Sequence, residues 1–542
     1  MDGAGEEEEE RMRTPRLRTP AGGGRRRTDP MWPAEGGTRP PLAALLPVVL
    51  LMGVLLMLAT TLLPTPDLMS YKGNVSHRSV ADKGPGDPFG RQPFKKRLVH
   101  LDLKGAPPRL SFVLRFFKLL ASLKVDGVLI EWEDMFPFEG GLAVIRAKNA
   151  YTKDDVRAMI EMAANLSLEV IPLIQTFGHM EYVLKHGKYE GLRENPLQES
   201  SICPSKNAST LLIREMIGQI RDAHTNSSRL HIGADEAFYV GEDEDCLRRL
   251  STSLADNLER LKLDHIARVA RLGLEAGFTE VLAWNDMFDK ATVAEITAAK
   301  LGSLITPVVW GYKPDVTVPG YFPDGLFDRL SQTFPRLWLA SAYKGANGAE
   351  NAFLSIDQYL ANHQSYVNLY RQFHEELGSR TEGLILTGWS RFAHHSPLCE
   401  LLPVAVPSLV VNLAYLENVK REPKQLTARA KDLLACPITP PRGLYEPRRL
   451  FSATFYPSRE QIFTTCAFPG SDIFAAVQDL RFLHWKSHRV GENEDAAKQV
   501  NEELRKMERR LRPLLSAALF DDAVNEFLEA NVRRRLVTVS EP

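Results

Sequence analysis

Arg229-Leu-His-Ile-Gly-Ala-Asp-Glu-Ala-Phe-Tyr-Val-Gly241 is the stretch on which the reading of this chain turns. A short apolar strand begins at Arg229 and stops at two adjacent carboxylates, Asp235 and Glu236. An acidic pair fills a core poorly. It suits the C-terminal mouth of a parallel barrel, where that fold carries its reactive groups. Alone, the dipeptide would serve equally well to open a solvated loop or cap a helix, so the flanking pattern has to decide.

From 97 to 417 short apolar runs alternate with helical stretches. Strands are expected at 97–103, 127–131, 169–174, 229–233, 280–284, 306–310, 337–341 and 384–388. Helix-like segments between them include 110–122, 154–166, 209–222, 247–276 and 354–376. Strands alternating with helices imply a parallel sheet, and eight such repeats close a (β/α)8 TIM barrel. The fold class is therefore α/β. A doubly wound open sheet is the alternative. Polar and aromatic residues at nearly every strand end favour the barrel, and no Gly-rich phosphate loop is present.

The rest of the chain divides by composition. Residues 1–41 hold an acidic run, Glu6–Glu10, and an arginine-rich stretch, and read as a disordered cytosolic tail. Residues 42–63 carry no charge and are long enough for one transmembrane helix. They start too far into the chain for an ordinary signal peptide. The arginines before them favour a cytosolic N-terminus. A stalk at 64–96 follows. These features imply a single-pass type II membrane protein, with the remainder in a Golgi-like secretory lumen or at the cell surface. Sequons at Asn74, Asn165, Asn207 and Asn226 lie on that side and are candidate glycosylation sites. Residues 418–542 form a charged, helical C-terminal extension in which Pro513 should kink or break a long helix. Its stripe of Leu504, Met507, Leu511, Leu514 and Leu515 is expected to pack on the barrel, with a homodimer contact as the alternative.

A net charge of −1 gives no reason to expect a nucleic-acid partner. The five cysteines, Cys203, Cys246, Cys399, Cys436 and Cys466, lack metal-ligand spacing, so no metal is expected. Pairing of Cys203 with Cys246 in an oxidising lumen and buried free thiols both remain open.

His231-Ile-Gly-Ala-Asp-Glu236 resembles the His-x-Gly-x-Asp-Glu signature of glycoside hydrolase family 20, the β-N-acetylhexosaminidases. The resemblance is nearest to the hexosaminidase D branch. Val99–Gly105, Glu133–Gly140, Gln175–Glu181, Ala340–Gly345 and Leu386–Phe392 carry it in the same order. It implies an exo-acting hydrolase that removes terminal β-linked GlcNAc or GalNAc without a cofactor. The sugar's own acetamido oxygen attacks the anomeric carbon, and water opens the intermediate with retention. Glu236 matches the general acid, which must hold its proton near working pH through burial and a neighbouring charge. Asp235 matches the residue that steadies the acetamido group. Strict strand alternation would send the two to opposite faces, so the chain has to bend at the rim.

Trp284, Trp310 and Trp389 match the family's pocket wall. Tyr312, then Tyr343, is the candidate for the tyrosine that bonds the acetamido oxygen. Asp102, Gln175, His179, Asp286 and Arg391 end other strands and are candidates for the sugar hydroxyls, with Glu131, Glu133 and Asp134 behind them. Many family members have an arginine after the first strand where this chain has Lys104-Gly105. A chitinase-like enzyme would show a longer acidic run, which is absent. A catalytically silent glycan-binding protein on the same barrel is the rival reading.

Overall fold

The computed structural model describes residues 90–252, 257–437, 458–491 and 493–537. The tail, the 42–63 stretch and Asn74 fall outside them. Eight parallel strands close in sequence order: β1 Lys96–Asp102, β2 Gly127–Glu131, β3 Glu169–Leu173, β4 Arg229–His231, β5 Glu280–Trp284, β6 Thr306–Trp310, β7 Leu337–Lys344 and β8 Thr381–Gly388. This is a (β/α)8 TIM barrel. Every pairing is parallel, and β1 meets β8 with Leu98 opposite Ile385.

Leu98, Leu129, Ile171, Leu282, Val308, Trp338 and Ile385 fill the barrel interior. Side chains alternate along a strand. Two residues beyond the apolar layer the inward positions therefore become His100, Glu131, Trp284 and Trp310, the start of a polar and aromatic mouth. The first helices, α1 Leu110–Ser122, α2 Lys153–Asn165 and α3 Asn207–Ala223, turn apolar stripes onto the sheet. Thr152 caps α2 and exchanges bonds with Asp155 in a capping box. The expected 247–276 helix is instead a short helix, Glu244–Thr252, and α4, Leu258–Glu275, which starts afresh at its Asn257 cap. The barrel's later helices include α5 Ile356–Gln372 and α6 Leu402–Glu417.

In α6 every residue from Leu402 to Leu416 is buried. In the C-terminal extension α7 Ser471–Ser487 packs on it, α8 Glu494–Ser516 packs on α7, and α9 Asp521–Asn531 on α8. The extension is fastened to the rim by hydrogen bonds. The backbone N–H of Arg109 donates to Ala518 O (2.7 Å), its Nε to Ser516 O (2.7 Å), and Arg391 Nη1 to Glu526 (2.8 Å). Pro513 does not break α8, which runs to Ser516. A proline so near a C-terminus removes one ladder bond just before the helix stops. Leu504, Met507, Leu511 and Leu515 are buried within this chain's own core and Leu514 is partly buried against it, so the stripe packs internally.

Cys436 and Cys466 form a disulfide, whereas Cys203 and Cys246 are buried free thiols 3.7 Å apart. Within reach of Cys246, Glu194 accepts backbone N–H bonds from Gly241 (2.6 Å), Glu242 (2.8 Å) and Asp243 (3.3 Å) and holds that turn.

Burial pushes several histidines down: His224, His265 and His363 to about 4, and His231 to about 3. Each is neutral in the fold, but in the unfolded chain each takes up a proton near pH 6.5. The unfolded state therefore binds more protons between those values, and stability falls as pH drops from about 6.5 toward 4. Urea midpoints measured at pH 7.5 and 5.0 should differ clearly, with the lower at pH 5.0. Equal midpoints would contradict neutral burial of this set.

Candidate active site

After His231 the chain coils instead of extending. Gly233, Ala234 and Glu236 have φ of 61°, 63° and 44°. Those left-handed turns are the rim bend that brings both carboxylates to one side. His179 Nε2 lies 3.4 Å from Asp235 Oδ2 and 3.2 Å from Glu236 Oε2. His179 is itself left-handed (φ 52°), as is Glu133 beyond β2 (φ 42°). For non-glycine residues this conformation costs roughly 1–2 kcal/mol each, and such strain collects where function requires it. The loops after β3 and β4 also nest closely. A Cβ on Gly178 would strike the Asp235 carbonyl, and one on Gly233 would strike the Gln175 side chain. Only glycine permits these approaches.

The resulting pocket spans about 640 Å³, the open solvent at its mouth included. His179, Asp235 and Glu236 line one side, and Trp284, Trp310, Tyr312 and Trp389 the others. The rings interlock: Trp284 to Trp389 is 5.9 Å between centroids, Trp310 to Tyr312 5.1 Å, and Tyr312 to Trp389 6.1 Å. Gly345, Ala346, Arg391 and Phe392 complete the wall. A box of aromatic faces beside an acidic pair suits a sugar ring with an apolar substituent.

The two carboxylates differ in setting. The Asp235 side chain is 8 % exposed and that of Glu236 35 %. Asp235 is sunk in the wall, and Glu236 is turned toward the mouth. The burial expected of Glu236 is thus only partial. Asp235 Oδ1 is buried without a hydrogen-bond partner among the described residues, while Oδ2 faces His179. A buried acceptor left unmet is costly, and a donor entering the pocket relieves it. Burial alone would lower the His179 imidazole. The charge of Asp235 and bonds to both carboxylates outweigh it and hold His179 well above its usual value.

The other candidates from the sequence lie behind this surface. Asp102 accepts backbone N–H bonds from Lys104 (2.8 Å) and Ser390 (2.7 Å), joining the loops of β1 and β8. Gln175 donates to Glu131 (3.1 Å), and Tyr343 donates to His100 O (3.2 Å) beneath the floor. Arg391 touches the pocket, but its guanidinium is committed to Glu526 (2.5 Å), Ser396 O (2.5 Å) and Gly105 O (3.1 Å). Asp286 bonds to pocket residues from outside the wall. Of these five only Arg391 lines the cavity, and its Nε, like Gln175 Oε1, has no hydrogen-bond partner among the described residues.

Lys104 is 1 % exposed, and its Nζ lies 3.5–3.9 Å from Glu133, Glu131 and Asp102. It also sits 5.4 Å from the Trp389 ring centroid, so this charge cluster supports the floor. Burial and the surrounding carboxylates push Glu133 well above its usual value despite Lys104. Burial would raise Glu131 too, but Lys104, His100 and Gln175 hold it well below the ordinary range. One carboxylate of the cluster keeps its proton so that the other stays ionised. Glu133, Asp134 and His394 also converge like metal ligands, but the Lys185 ammonium lies 3.0 Å from Asp134 and 2.7 Å from His394 and supplies the positive charge. Gly345, Ala346 and Phe392 line the pocket without being candidates from the sequence, although Gly345 and Phe392 close two of the runs that carry the family resemblance. Phe392 was findable, since it follows Trp389 and Arg391 off the same strand end.

Residues 130–312 match the model of the glycosyl hydrolase family 20 catalytic domain. That span runs from β2 to just past β6 and holds His179, Asp235, Glu236, Trp284, Trp310 and Tyr312. Hexosaminidase D of Homo sapiens is 35% identical over 484 residues, covering 82% of this chain and 93% of that protein. Hexosaminidase D of Bos taurus is 39% identical over 332 residues, covering 60% of this chain and 94% of that one. Among solved structures, that of Flavobacterium johnsoniae chitobiase is similar over 81% of this chain and 70% of that one, at 12% identity and a TM-score of 0.49. The chain belongs to glycosyl hydrolase family 20. Within that class it is a glycoside hydrolase with exo-β-N-acetylhexosaminidase activity.

Proposed function

We propose that the enzyme removes terminal β-linked GlcNAc or GalNAc by retaining, substrate-assisted hydrolysis, with Asp235 and Glu236 dividing the work. The observation that carries this is the unmet Asp235 Oδ1, sunk among indole rings beside the outward-facing Glu236. An acetamido N–H would satisfy Oδ1 while its methyl packs on Trp284 and Trp389. Tyr312, on the same wall, would donate to the acetamido oxygen. The oxygen is then aimed at the anomeric carbon, and Glu236 protonates the departing alcohol from the mouth. Water enters as the alcohol leaves, and the same carboxylate takes its proton. The positive charge that develops on the cyclised amide lies against Asp235.

The second reading, a silent glycan-binding protein, has no specific observation in its favour. The test is chromophore release by residues 85–542 from aryl β-N-acetylglucosaminide and β-N-acetylgalactosaminide. Turnover of either is the expected result, and inertness on both would remove the catalytic roles assigned here.

Residues 42–63 are proposed as a type II anchor on sequence grounds alone. Among the described residues no helix is long and apolar enough to cross a membrane. Asn165, Asn207 and Asn226 are all exposed, as acceptors of glycan on a luminal face must be. A glycosidase-sensitive gel shift of protein from mammalian cells would support that placement, and an unshifted band would remove it.

A further inference from the structure

We propose that Asp286 is a positioning residue for proton delivery, fastening the general acid to the sugar platform. The proposal rests on the roles assigned above to Glu236 and the indole wall. Asp286 follows β5 directly. One carboxyl oxygen, Oδ2, accepts the backbone N–H of Glu236 at 2.9 Å. The other, Oδ1, accepts the indole N–H of Trp310 at 3.1 Å. One side chain thus bonds two pocket residues without itself lining the pocket.

The local backbone explains why such a fastening is needed. The backbone bonds that join β4 to β5 end at Gly233, whose carbonyl accepts the Trp284 N–H, so none reaches Glu236. Its conformation, φ 44°, is one that a glutamate adopts only when its surroundings enforce it. Among the described residues the Glu236 backbone N–H donates to Asp286 alone. The preceding residue works in the same direction, because Asn285 Oδ1 accepts the backbone N–H of Trp310 at 3.2 Å. Trp284-Asn285-Asp286 is therefore a block. Its first residue walls the pocket, its second holds the β6 end, and its third ties that end to the acid.

Two other roles are open to a carboxylate here, and each predicts different kinetics. A sugar-hydroxyl contact would raise KM whatever the leaving group. A purely structural prop for Trp310 would lower turnover equally for every leaving group. A residue that places the acid matters only where the departing oxygen needs a proton. Misplacing a reacting group by about 1 Å costs on the order of 100-fold.

The test compares wild type, Asp286→Asn and Asp286→Ala on two β-N-acetylglucosaminides. One bears 2,4-dinitrophenolate, which leaves without protonation, and the other a methyl alcohol. The expected result is a loss of kcat/KM on the methyl glycoside of roughly 100-fold, with a loss of less than about 5-fold on the dinitrophenyl glycoside and little change in KM. Asp286→Asn keeps the shape and one acceptor, so it should fold and lose less than Asp286→Ala. Equal losses on both substrates, or a KM effect alone, would overturn the proposal. Wild-type turnover of both glycosides would leave the hydrolase reading intact even then, so the two claims fail separately.

Discussion

Glu236→Gln is expected to lower kcat/KM by roughly 10²–10⁴-fold on a glycoside with a poor leaving group, the range typical of a lost general acid. Glutamine keeps the size and the contact with His179 but has no proton to give. The side chain is partly exposed at the mouth and bears no load in the core, so the variant should fold normally. On a dinitrophenyl glycoside the first step should survive, because that oxygen leaves as a stable anion. The second step, in which a base must activate water, should then limit the rate and be accelerated by added azide. Steady-state kinetics on the two leaving groups, with and without azide, check this. An undiminished rate on the poor leaving group would remove Glu236 from the chemistry.

Asp235→Asn is expected to cost about 10²–10³-fold, mainly in kcat. The aspartate does two things that an amide cannot. Its unmet Oδ1 is an acceptor in a buried wall, and its charge faces the ring that becomes cationic when the acetamido oxygen closes on carbon. Asparagine can mimic the first by one rotamer, but not the second. Its charge is also a main reason His179 stays protonated against burial, so the variant should leave a neutral imidazole beside Glu236. The pH profile of kcat should change shape as well as height. A change confined to KM would mean that Asp235 only binds substrate.

The barrel was legible because its signals are periodic. Strands β2, β5 and β6 fall where apolar runs stand between turn residues, and α1 lies where its apolar stripe predicts it. What failed were features set by single contacts. Pro513 reads as a breaker, but so close to the end of α8 its lost bond matters little. Cys436 and Cys466, a pair nothing in the sequence singles out, form the disulfide, while Cys203 and Cys246, for which the sequence leaves a bond and buried thiols both open, lie side by side as thiols.

The site was legible as a list of strand ends but not as a surface. Asp235, Glu236, His179, Trp284, Trp310, Tyr312 and Trp389 converge on one cavity. Asp102, Gln175, Tyr343 and Asp286 come from equally promising positions but turn to backbone amides, a carbonyl or one another's neighbours. No spacing rule separates the two groups, because the division depends on left-handed turns at Ala234 and Glu236 that only the packed loops enforce. Lys104 illustrates the same point. It stands where the family resemblance leads to an arginine, and in space it is buried among three carboxylates beside Trp389.

The most direct measurement is the rate on a series of aryl glycosides whose N-acetyl methyl carries zero, one, two or three fluorines. Each fluorine weakens the amide oxygen as a nucleophile and leaves the rest of the sugar almost unchanged. If the amide held by Asp235 makes the new bond to carbon, kcat/KM must fall steeply with every fluorine. A rate indifferent to fluorination would show that some other nucleophile attacks, and the division of labour between positions 235 and 236 would be wrong.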